Sequence, residues 1–171
     1  MNAYNQDMRP FQNAGGKLIQ YHGYSDPLIP TLTAPAWYDT LHSYYRSIGK
    51  EAEVDEFYRL FLVPGMGHCS GGVGSWVVDA ASQGGVVPVD NATEHSMLWS
   101  LVKWVESSGK NNSSAAREAP DSVIGTKFLN DTTSLGVDFE RPICRWPVVA
   151  EFKGGPVAEA ASWQCPTAGV Y

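Results

Sequence analysis

Phe57-Tyr-Arg-Leu-Phe-Leu-Val-Pro-Gly-Met-Gly-His-Cys-Ser-Gly-Gly72 decides how this chain is read. Its opening seven residues, apolar apart from Arg59, are too few for a stable helix and stop at Pro64-Gly65, the pattern of a buried strand. A second segment, Lys17-Leu-Ile-Gln-Tyr-His-Gly-Tyr-Ser-Asp-Pro-Leu-Ile-Pro30, repeats the arrangement after the opening pair Gly15-Gly16. Each run ends in a Gly- and Pro-rich turn; one presents Asp26 and the other His68. Between them Thr33 is placed to cap a helix with Pro35 in its first turn. Trp37, Leu41, Tyr44, Tyr45 and Ile48 follow at helical spacing, and Gly49 is placed to stop it. Strand, helix and strand in that order predict parallel neighbours joined by a right-handed crossover. Both turns then fall at the same, C-terminal, edge of the sheet, where open α/β sheets place their sites.

Composition narrows the classes. The chain has 171 residues, 43% of them hydrophobic, and a net charge of −6. That is enough apolar material for one core. Lys and Arg are scattered, so the footprint expected of a nucleic-acid or anionic-membrane partner is missing. No apolar stretch reaches transmembrane length. The polar start, Met1-Asn-Ala-Tyr-Asn-Gln-Asp7, is not a signal peptide. Sequons at Asn91, Asn111, Asn112 and Asn130 are acceptors only in the secretory path. The two signs are reconciled if the chain is secreted as part of a longer protein whose N-terminal portion precedes Met1. Localisation is therefore expected to be extracellular.

Beyond the second strand, residues 70–92 read as a loop with a Val-rich stretch. A helix is expected from about Ala92 to Ser108, burying Met97, Leu98, Leu101, Val102 and Val105, with Asn91 and Glu94 at capping-box spacing. Residues 107–121 form a polar linker. Two more strand-like pieces follow, Ser122–Leu129 and Pro147–Phe152. Domain organisation is thus read as residues 1–121, carrying Asp26 and His68, and a tail over 122–171 packed on the same body.

The candidate chemistry lies in the two turns. Asp26 is stiffened by Pro27 and Pro30, as a carboxylate that must hold an imidazole in one tautomer should be. The alternative is an Asx-turn residue that ends a strand. His68 lies among glycines that allow close backbone approach; the alternative is a loop histidine bonded to local backbone. An Asp and then a His, each after a strand, are the last two members of a Ser–Asp–His set in α/β-hydrolase order. The nucleophile is not found: Gly-x-Ser-x-Gly does not occur, and Ser25, Ser70 and Ser75 lie on turns that do not lead into a helix. His22 ends a strand and is expected to pack or hydrogen-bond. His42 falls in a surface-helix pattern, and His95 lies near a helix start. No pair has H-E-x-x-H or C-x-x-C spacing, so no metal site and no cofactor are expected in this segment. Cys144 and Cys165 could close a loop of about 20 residues. Cys69 is left single, either bonded to a partner elsewhere or free as a small buried hydrophobe.

These segments, together with Trp104-Val-Glu106 and Arg141-Pro-Ile-Cys-Arg-Trp-Pro147, resemble the tannase and feruloyl esterase family of secreted hydrolases. The resemblance implies an α/β fold that is the C-terminal part of an α/β-hydrolase, with parallel strands and crossover helices. The N-terminal strands, nucleophile elbow and calcium-bearing lid domain of the family would precede it. It implies Asp26 and His68 as triad members. Cys69 would match the family cysteine that is disulfide-bonded to a Cys beside the nucleophilic Ser, and Cys144 and Cys165 resemble a family disulfide. The expected function is that of a serine carboxylic ester hydrolase acting on phenolic esters, inactive as this chain alone for want of its Ser. Its partners would be the phenolic ester and the N-terminal half of the same protein. The alternative is a non-catalytic smaller chain of a cleaved, disulfide-linked two-chain protein.

Overall fold

The computed structural model describes residues 5–79, 83, 93–108 and 119–167. After a short helix α1 (Arg9–Asn13), strand β1 (Leu18–Gly23) is joined through helix α2 (Thr33–Ser47) and a 3-10 segment (Glu51–Glu56) to strand β2 (Tyr58–Val63). The strands run parallel, in register from Leu18 opposite Tyr58 to Gly23 opposite Val63. Helix α3 (Met97–Ser108) follows. The antiparallel pair β3 (Ser122–Phe128) and β4 (Val137–Cys144) and the short pair β5 (Glu151–Phe152) and β6 (Trp163–Gln164) complete the chain.

Every residue of β2 is buried. The two-residue period divides them between two apolar layers. Tyr58, Leu60 and Leu62 face a cluster built with Ala34, Tyr38, Leu41 and Tyr45 of α2. Phe61 and Val63 face a second cluster with Met97, Val123, Phe128 and Ile143. Tail and body therefore share one core. Arg59, buried on the second face, stacks its guanidinium 5.5 Å from the Trp104 ring and donates to the Asp55 carbonyl. The outer edge of β2 is closed by the segment after β4, where Phe61 bridges Arg145 and the Trp146 N–H donates to the Leu60 carbonyl at 2.7 Å. Among the described residues no strand pairs with the other edge of β1.

Several expectations change here. Thr33 makes no side-chain cap, and the helix is preceded by Leu32. Gly49, at φ +73°, does end α2, with the Lys50 N–H returning to the Tyr45 carbonyl at 2.8 Å. His42 is buried, not on a surface: four residues after Tyr38 it falls on the same helical face, its ring 4.6 Å from that of Tyr38. Helix α3 starts at Met97, capped by Ser96, whose Oγ accepts the Trp99 N–H at 3.0 Å and donates to Asp79 at 2.6 Å. Asn91 lies outside the described residues. The buried face of α3 is Met97, Ser100 and Trp104, whereas Leu98 and Val105 are exposed. Strand β4 was not foreseen, and of the expected strand 147–152 only Glu151–Phe152 forms.

Candidate active site

The two functional turns meet because their backbones are tied at the strand ends. The Tyr24 N–H donates to the Val63 carbonyl and the Ser25 N–H to the Met66 carbonyl, each at 2.9 Å. Gly23 makes the approach possible: a Cβ there would sit 2.0 Å from the Gly67 carbonyl oxygen. Gly72, at φ +107°, closes the His68 loop, and a Cβ at that position would meet the Gly65 carbonyl oxygen at 2.1 Å. Cys69 also holds a positive φ of 63°.

Asp26 uses both oxygens. Its Oδ1 accepts the Leu28 and Ile29 N–H groups at 2.8 and 3.0 Å. Its Oδ2 lies 2.9 Å from His68 Nδ1. The Asp26 side chain is 1% exposed and that of His68 43%. Desolvation pushes the Asp26 carboxyl up, but the Ile29 amide, the His68 ring and the Leu28 amide outweigh it and hold the group at about 2. Asp26 is therefore ionised at neutral pH and accepts a hydrogen bond from Nδ1–H. Nε2 is left with its lone pair, the tautomer of a general base. Nε2 makes no hydrogen bond among the described residues.

Three further groups support this pair. His22, at the end of β1, has its Nε2 3.3 Å from the Ile29 carbonyl and 3.6 Å from Asp26 Oδ2. Lys127 of β3 donates to the Gly72 carbonyl at 2.6 Å and to Asp131 at 2.5 Å, tying the His68 loop to the tail. Gln83 donates to the Trp76 carbonyl at 2.6 Å and the Cys69 carbonyl at 3.4 Å. Only His22 carried a sequence signal, its position four residues before Asp26. Lys127 reaches Gly72 from 55 residues away, and Gln83 reaches back 7 and 14 residues to Trp76 and Cys69.

The remaining candidates are placed as follows. Cys144 and Cys165 are disulfide-bonded, with Cα atoms 5.5 Å apart. Cys69 is a free, half-buried thiol. Asn130 is exposed in the turn Leu129–Asp131, while Asn91, Asn111 and Asn112 lie outside the described residues. His95 Nε2 lies 3.9 Å from Glu140, far in sequence from the pair. Ser75 is buried. No group of three metal-binding side chains occurs among the described residues. None of their helices is long and apolar enough to cross a membrane.

Proteins to which this chain is similar include fungal esterases. A probable feruloyl esterase B-2 of Aspergillus terreus is 34% identical over 169 residues, covering 96% of this chain and 29% of that protein. A probable feruloyl esterase B-1 of Aspergillus flavus is 34% identical over 166 residues with the same coverage. The crystal structure of an esterase from Aspergillus oryzae superposes with a TM-score of 0.77 at 34% identity, over 95% of this chain and 29% of that one. Feruloyl esterase B from Aspergillus oryzae gives a TM-score of 0.74 at 30% identity, again over 95% of this chain and 29% of that one. The chain thus spans 29% of the length of these relatives. A family model described as tannase and feruloyl esterase matches residues 1–166, and with the relatives above it shows that the chain belongs to the tannase and feruloyl esterase family.

Proposed function

We propose that this chain is the C-terminal part of an α/β-hydrolase, and that Asp26 and His68 are the acid–base pair of a secreted serine esterase acting on phenolic esters. The observation that carries the reading is the 2.9 Å contact between Asp26 Oδ2 and His68 Nδ1, held at the ends of two adjacent parallel strands. In the whole enzyme, His68 Nε2 takes the proton of a serine hydroxyl as its oxygen attacks the ester carbonyl, and returns it to the departing alcohol. Water then attacks the acyl-serine, giving its proton to His68. The acid leaves and the serine is restored. Asp26 keeps the imidazole oriented and offsets the positive charge it acquires in both steps. The sequons and the Cys144–Cys165 bridge support an extracellular location.

The test compares two proteins on methyl ferulate and a galloyl ester. The 171-residue chain alone is expected to give no turnover above buffer, because it lacks a nucleophile elbow. The chain joined to an upstream region carrying a serine nucleophile is expected to turn over, and His68→Ala in it to lower kcat by about 10³-fold or more. Full activity of that variant would end the assignment.

A second reading, a smaller chain disulfide-linked to another, is favoured by the free thiol of Cys69 directly beside His68. Electrophoresis of the secreted native protein with and without reductant separates the two. A band that divides on reduction supports the two-chain form.

A further inference from the structure

A cavity of about 510 Å³ opens beside the two loops, and neither Asp26 nor His68 lines it. Its size is in the range of small-molecule sites. Its lining includes Tyr24, Leu62, Phe139, Trp146 and Trp163. Arg141 is the one charged residue among those lining it.

Arg141 stands two residues after Phe139 on β4, so both fall on one face of the strand. Its guanidinium carbon lies 5.0 Å from the centre of the Phe139 ring and 4.5 Å from that of Trp163. Stacking of this kind fixes the plane of the fork. One N–H group donates to the Glu140 carbonyl at 2.6 Å. No ion pair of Arg141 occurs among the described residues; burial lowers its proton affinity, and none of their carboxylates restores it. The fork of a half-buried guanidinium matches a planar anion that takes two parallel hydrogen bonds. The Cys144–Cys165 bridge joins β4 to the segment just after Trp163, so the aromatic wall is pinned to the strand that carries Arg141.

We propose that this cavity binds an aromatic carboxylate, its carboxylate on the Arg141 guanidinium and its ring against the tryptophan and phenylalanine wall. A phosphate, at about −1.5 to −2, would keep up to about one negative charge uncompensated on a single arginine among apolar groups. An aliphatic acid would forgo the ring contacts. Choosing a phenolic acid as the ligand rests on the function proposed above, since such an acid is the product of that reaction. The site does not rest on it, because the Asp26–His68 pair takes no part.

The test uses the 171-residue chain and follows tryptophan fluorescence and calorimetry on titration with 4-hydroxy-3-methoxycinnamate, its methyl ester and cyclohexanecarboxylate. The acid is expected to bind at least tenfold more tightly than either control. Arg141→Met is expected to erase the preference for acid over ester, and His68→Ala to leave it unchanged. Should Arg141→Met fail to fold, Arg141→Lys, which keeps the charge and loses the fork, is expected to weaken the acid at least fivefold. Equal binding of acid and ester, no saturable binding, or an unchanged preference in the Arg141 variants would each overturn the proposal. So would loss of the acid in His68→Ala, which would place it at the imidazole. Failure of the esterase reading would show in turnover by the longer protein and would leave these titrations untouched.

Discussion

At Asp26 two readings of one residue turn out to be compatible. The Asx turn that binds Oδ1 to the Leu28 and Ile29 amides fixes the carboxylate, and Oδ2 is thereby aimed at His68. Because the folded carboxyl sits at about 2, below the roughly 3.9 of an unfolded Asp, the unfolded chain binds more protons between those values. The stability that Asp26 contributes is complete above pH 4 and is lost as pH falls toward 2. Urea midpoints measured from pH 5 to pH 2 are expected to fall less steeply in Asp26→Asn than in the parent. Asp7, also held at about 2 by its hydrogen bond to Arg9, keeps the slope from vanishing. At Gly23 the expected effect is steric. Gly23→Ala puts a methyl group onto the Gly67 carbonyl and should destabilise by about 1–3 kcal/mol, read from urea unfolding at pH 7. Asp26 and His68 were legible because each lies in a short motif that ends an apolar run. Lys127 and Gln83 were not, since no motif marks either side chain as a brace for a main-chain carbonyl.

Elements were legible where one rule dominated. Strand β2 is apolar apart from Arg59 because both its faces are covered, and α2 buries Leu41 and Tyr45 of its expected stripe, with Trp37 and Tyr44 half-buried and Ile48 exposed. Strand β4 was hidden for a physical reason. Its sequence, Val137-Asp-Phe-Glu-Arg-Pro-Ile-Cys144, is exposed at its start and buried only at its end, and Pro142 reads as a breaker. Pairing with β3, not its own pattern, makes it a strand. Helix α3 misled because Leu98 and Val105 are apolar yet exposed, while the small polar Ser100 occupies the buried face. The disulfide gives the tail a measurable anchor. It closes a separation of 21 residues, and its loss in C144A/C165A should cost about 3 kcal/mol by loop-closure entropy. Denaturation midpoints of the double variant against the parent check the figure, and an unchanged midpoint would show the bridge to be thermodynamically idle.

For the whole molecule, the parallel pair and its C-terminal edge could be read from the order of motifs, but the way the tail completes the core could not. Phe61, Val63 and Met66 pack with Val123, Phe128 and Ile143, and Arg145 reaches back to Asp55 at 3.0 Å. Contacts of that sequence separation leave no periodic trace. A chain ending at Asp121 would strip one face of β2, and it is expected to aggregate or to lack dispersed amide resonances, whereas the 171-residue chain is expected to unfold in one transition. A well-folded 1–121 piece with the parent's thermal midpoint would contradict a shared core. The main-chain bond from Trp146 to Leu60 also has a bearing on synthesis. A ribosome must deliver some 85 further residues before the flank of β2 can be shielded, so the nascent polypeptide carries sticky surface through much of its translation. Holdase chaperones, or slowed codons ahead of residue 146, then become determinants of yield for this polypeptide even where every contact of the finished molecule is sound.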